Sequence, residues 1–67
     1  MVVKMTEREV LTVEEAADYL RTSPRTLQRW RDRRWGPRFS KIGGGVRYRR
    51  TDLDAFIEKH AHSPERK

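Results

Sequence analysis

Residues 12–30 read TVEEAADYLRTSPRTLQRW, and this stretch decides the fold. Thr12 is followed three residues later by Glu15, the spacing of a capping box in which each side chain satisfies an orphan backbone N–H of the other residue. Behind it, Val13, Ala16, Ala17 and Leu20 recur at i, i+3, i+4 and i+7, one face of a helix. Leu11, just before the cap, is placed to staple onto Ala16. The pattern predicts a helix over 13–20. Ser23 is then a strong N-cap, and Pro24 suits the first helical position, where its missing N–H costs nothing. A second helix follows over 24–33, stopped before Gly36-Pro37. Two helices separated by so short a break form a helix-turn-helix.

Outward from this pair, the chain turns β-prone. Arg38-Phe39-Ser40-Lys41-Ile42 and Val46-Arg47-Tyr48-Arg49 flank Gly43-Gly44-Gly45. Two such runs joined by glycines predict a hairpin over 38–49, because glycine supplies the positive φ of tight turns. Phe39 and Ile42 do not alternate perfectly, which suggests a bulge or a twisted strand. Thr51 with Asp54 reads as another cap, and Leu53, Phe56 and Ile57 share a face, so a third helix is expected over 52–60. The fold class is therefore mainly α with a small β-hairpin, a winged helix-turn-helix. Residues 11–60 form the domain and 1–10 an N-terminal arm, in which Val10, with Leu11 beyond it, adds a short extended piece to the core. Residues 61–67 are expected to be a disordered C-terminal tail.

A chain of 67 residues makes one small domain with a thin core, and with no cysteine it has neither disulfides nor a thiolate metal site to reinforce it. Its formal charge of +6 is unevenly spread. Between Arg21 and Arg50 stand eleven basic residues, ten of them Arg, against the single acid Asp32, while the flanks are net acidic. A segregated positive field rich in Arg suits a polyanion, since the guanidinium fork matches phosphate and guanine. No apolar run is long enough to span a membrane or serve as a signal peptide, so a cytoplasmic, DNA-associated protein is expected. Enzyme parts are missing too. The sequence pairs no His with a nucleophile, and its glycine run lies between strands rather than ahead of a helix and Lys. His60 and His62 are too few and too close to the end to suggest a metal site. No cofactor is expected.

Three segments resemble excisionase-type domains. Leu11 to Leu20 is similar to their opening helix, Ser23-Pro24-Arg25-Thr26-Leu27-Gln28-Arg29-Trp30 to their recognition helix, and Lys41 to Leu53 to their wing and following helix. The Thr-Leu-x-Arg-aromatic run also resembles the DNA-binding head of MerR regulators. Arg33-Arg34-Trp35-Gly36-Pro37 departs from the pattern, which more often has a shorter and less bulky turn. The resemblance implies double-stranded DNA as partner, several copies side by side, and a phage integrase steered toward excision. A small prophage-type transcriptional regulator of the same fold, and an RNA-binding or protein-interaction module, are the other readings. MerR heads carry a long dimerising helix behind them; here site affinity is expected from adjacent copies instead.

The expected DNA contacts follow from residue type and place. Arg25, Gln28 and Arg29 lie off the Leu27–Trp30 stripe near the start of the second helix, where Arg reads guanine and Gln adenine. Arg25 and Arg29 repel at i,i+4 unless a polyanion neutralises them. Ser23 and Thr26 are small donors at a helix start that attracts phosphate, though both also serve the helix cap. Arg31 and Arg33 are expected to meet phosphate, or to pair in the neighbourhood of Asp32, rather than to read bases. Lys41 and Arg47 flank the glycine tip and would reach the minor groove or backbone, with Arg49 a further phosphate contact. Trp30, Tyr19, Phe39, Tyr48 and Phe56 are expected in or beside the core, and Trp35 is left open between packing and base stacking.

Overall fold

The computed structural model describes residues 9–62. In chain order it contains β1 (Val10–Thr12), α1 (Val13–Leu20), α2 (Pro24–Asp32), β2 (Ser40–Ile42), β3 (Gly45–Arg49) and α3 (Arg50–Lys59). The capping box forms as the sequence predicts. Thr12 Oγ1 accepts from the Glu15 amide at 3.2 Å, and Glu15 Oε1 accepts from the Thr12 amide at 2.9 Å. At α2, Ser23 Oγ accepts from the Thr26 amide at 3.2 Å, with Pro24 entering the helix behind it. Helix α2 ends at Asp32, and Arg33 caps it rather than extending it.

Both helices of the pair close in the same way. The Arg21 and Thr22 amides donate back to Asp18 and Ala17 carbonyls, and the Arg34 and Trp35 amides to Arg31 and Trp30 carbonyls. This is the Schellman pattern, which needs a left-handed residue. Here Arg21 (φ 60°) and Arg34 (φ 57°) occupy it, where glycine is usual. Across the second closure Trp35 stands edge-on to Trp30, centroids 5.1 Å apart, the apolar contact that accompanies the motif. Trp35 therefore packs, against Trp30 and against Phe56 at 5.6 Å, although half its surface remains exposed. Gly36 follows with φ 104° and lies against the Trp30 ring, where a Cβ would approach to 3.2 Å.

The wing is a three-stranded antiparallel sheet in the order β1-β3-β2. The short extended piece expected at Val10 and Leu11 is an integral strand that runs on to the cap residue: Val10, Leu11 and Thr12 pair with Arg49, Tyr48 and Arg47. The Arg50 amide adds a bond to the Glu9 carbonyl at 2.8 Å. On the other side Ser40, Lys41 and Ile42 pair in unbroken register with Arg47, Val46 and Gly45, so these pairs contain no bulge. Gly43 and Gly44, both at positive φ, make the two-residue turn. Helix α3 starts two residues earlier than expected. Its N-cap is Arg49, with no side-chain cap bond, and Thr51 lies inside the first turn.

The core is small. Leu11, Ala16, Ala17, Leu27, Tyr48 and Leu53 are buried, with Val13, Leu20, Trp30 and Val46 packed against them. The two alanines leave no bulk on the α1 face, which lets α2 approach behind a turn of only three residues. Tyr19 and Phe39, expected in or beside the core, are exposed, as is Ile57 from the apolar face expected of the third helix; Ile42 is exposed too. Tyr19 instead donates its hydroxyl to Asp54 Oδ1 at 2.5 Å, joining α1 to α3. That bond, with some burial and the Asp54 charge, raises the Tyr19 pKa, while Arg50 opposes the shift. Residues 1–8 and 63–67 lie outside the described residues, and with them the expectations for most of the arm and of the tail.

Candidate nucleic-acid interface

Helix α2 has one face inside and one outside, and the division follows from its spacing. Leu27 is fully buried and Trp30 half-buried, which turns Arg25, Gln28, Arg29 and Asp32 to the opposite side. These four, at i, i+3, i+4 and i+7, are all exposed and surround one shallow depression. The three expected base readers therefore stand together. Ser23 and Thr26 sit at the start of the same helix, their hydroxyls 2.9 Å apart. No acid occupies the first turn of α2, whereas α1 carries Glu14 and Glu15 there. The positive end of the α2 macrodipole is thus free of an internal counter-charge in its own first turn, a setting that favours a phosphate.

Arg31 does not belong to this exposed row. It follows Leu27 at i+4, on the inner edge, where its Nη1 donates to the Tyr48 hydroxyl at 2.9 Å and its guanidinium lies 5.8 Å from the Phe39 ring centre. Arg31, expected on phosphate or near Asp32, thus ties α2 to the sheet. The Leu27, Trp30, Arg31 spacing carried that signal, had Arg31 been counted with the stripe rather than with the charges. Arg33 is exposed beside Trp30 and Trp35. Beyond it Arg34 and Arg38, which charge reading did not single out, flank Trp35 on both sides of the α2–β2 loop.

The wing cations divide. Paired residues of an antiparallel ladder share a face, and neighbours along a strand alternate. Lys41 pairs with Val46, on the same face as buried Tyr48 and thus the side of the helices. Arg47 pairs with Thr12 and Ser40, and Arg49 with Val10, on the opposite face. Lys41 and Arg47 flank the glycine turn as expected, but on opposite faces of it. Arg47 is also folded back, its Nη1 donating to the Val46 carbonyl at 2.9 Å, while Lys41 and Arg49 are exposed.

Among the described residues no group of His, Cys, Asp and Glu could hold a metal ion, and no helix is long and apolar enough to cross a membrane. His60 instead packs on Phe56, at 4.4 Å, and on Trp35, at 5.5 Å.

Two helices joined by a three-residue turn, a basic outer face on the second and a glycine-turned sheet beside it define a winged helix-turn-helix, a DNA-binding class. The family comparison agrees at the level of the chain. Residues 10–61 match the model of the helix-turn-helix domain, and the protein belongs to that family. The match begins at Val10, the first residue of β1. No characterised protein gave a significant match.

Proposed function

We propose that this protein binds double-stranded DNA sequence-specifically, laying α2 in the major groove, and that it acts as an excisionase which directs a phage integrase toward excision. The observation that carries the DNA reading is the exposed row of Arg25, Gln28 and Arg29 on α2, next to a helix start free of acid in its first turn. Arg25 and Arg29 are suited to guanine O6 and N7, and Gln28 to adenine N6 and N7. Ser23, Thr26, Arg33 and Arg49 supply phosphate contacts, and Lys41 and Arg47 reach the backbone or minor groove beside the helix. The excision role rests on the resemblance of the three segments to excisionase domains. A small domain gains affinity there by binding as adjacent copies.

Footprinting with the purified protein tests both levels. Phased, cooperative protection of attachment-site DNA supports excision, and a single footprint over a promoter supports a transcriptional regulator instead. Equal affinity for the best duplex, random duplex and RNA would remove the sequence-specific reading. Within the row, Arg29→Ala is expected to weaken the cognate site by about 1–3 kcal/mol more than random DNA. An equal loss on both would make Arg29 a phosphate contact.

A further inference from the structure

The three consecutive glycines have different physical reasons. Gly43 and Gly44 hold φ of 59° and 83°, with open space where a Cβ would stand, so the turn backbone explains them. Gly45 does not. It is the first residue of β3, paired with Ile42, and its φ lies outside the left-handed region. Any residue could adopt that backbone, and glycine weakens a strand by lacking a side chain to pack. What a Cβ at Gly45 would meet is the Arg47 guanidinium, with Nη1 at 2.5 Å and Cζ and Nη2 both at 3.2 Å. Residues 45 and 47 share a sheet face, and the Arg47 side chain doubles back along it to donate to the Val46 carbonyl at 2.9 Å.

We infer that Gly45 is a positioning residue for DNA contact: its missing side chain is the seat in which the Arg47 guanidinium is held flat against the wing. The hydrogen bond uses one N–H of the fork and leaves others free to donate. A long side chain that is fixed before it meets a phosphate loses less freedom on binding than one free in solvent. The obstruction is the far end of a flexible side chain, so Gly45→Ala leaves the fold intact and moves the guanidinium. The inference rests on the reading of Arg47 as a DNA contact.

The test is a double-mutant cycle of Gly45→Ala and Arg47→Ala on the full chain, read by DNA affinity against salt. It is joined by NMR of the Arg47 side-chain N–H groups in the free protein. Gly45→Ala is expected to shift the Arg47 resonances and to weaken DNA binding by about two- to tenfold, the cost of immobilising one flexible side chain. In the Arg47→Ala background the same substitution should change affinity less than about twofold. A loss that persists undiminished without Arg47, or unshifted Arg47 resonances in Gly45→Ala, would overturn the inference. If Arg47→Ala alone leaves DNA affinity and its salt slope unchanged, the wing arginine is no DNA contact and the positioning role falls with it. The resonances then still report whether the seat exists.

Discussion

The two arginines that close α1 and α2 give the sharpest quantitative test. Arg21 and Arg34 sit at φ 60° and 57°, each making the reversed amide bonds of a helix end. An L-residue in this region costs about 1–2 kcal/mol through contact of Cβ with its own carbonyl. Glycine avoids that cost but loses about 0.5–1 kcal/mol more backbone freedom on folding. The difference favours glycine by about 0.5–1 kcal/mol at each site. In a domain of this size 1 kcal/mol moves the Tm by about 4–8 °C, so each Arg→Gly change should raise it by about 2–8 °C. The two closures share no hydrogen-bond partner, and their effects should add. The decisive comparison is Arg34→Gly against Arg34→Ala by thermal circular dichroism, since both remove the charge and only glycine relieves the backbone. An Arg34→Gly protein that melts no higher than Arg34→Ala would refute the strain argument. The same pair probes function. If arginine is kept there for its charge, both variants should weaken DNA binding alike, and each should lower the salt slope by about 0.9 for one lost phosphate contact.

Tyr48→Phe should destabilise by about 1–2 kcal/mol in urea titration, because Arg31 Nη1 loses the hydroxyl to which it donates. Thr51→Ala should change stability by less than about 0.5 kcal/mol, since Thr51 makes no cap bond, whereas Ser23→Ala should cost about 1 kcal/mol. The Tyr19–Asp54 bond has a pH signature. Its donor is the protonated phenol, and the folded pKa is raised above the ordinary 10.0. Its stabilisation is therefore complete below pH 10 and lost as pH rises through the folded value. With Tyr19 39% exposed, the effect should stay under about 1 kcal/mol, and Tyr19→Phe should abolish that part of the alkaline loss.

The local chemistry of this chain was legible in its sequence. The capping box at Thr12 and Glu15, the Ser23-Pro24 start and the Leu27–Trp30 stripe fixed α1, the turn and the outward row of α2. Each depends on residues within one or two helical turns, where side-chain spacing is set by the helix itself. Thr51 shows where that reading stops. Its spacing to Asp54 resembles a cap, but the helix begins at Arg50, directly on the end of the paired strand β3.

Tertiary structure alone decided the rest. That Val10–Thr12 is the third strand depends on Arg47–Arg49, some 37 residues away, and no local pattern announces so distant a partner. Register then placed Lys41 and Arg47 on opposite faces of the turn they flank, and Arg31 found the Tyr48 hydroxyl. Charge could be counted along the chain. Which charges face outward was settled by pairing and packing, because a strand's side chains alternate and a helix residue at the stripe's edge is drawn to whatever packs beside it.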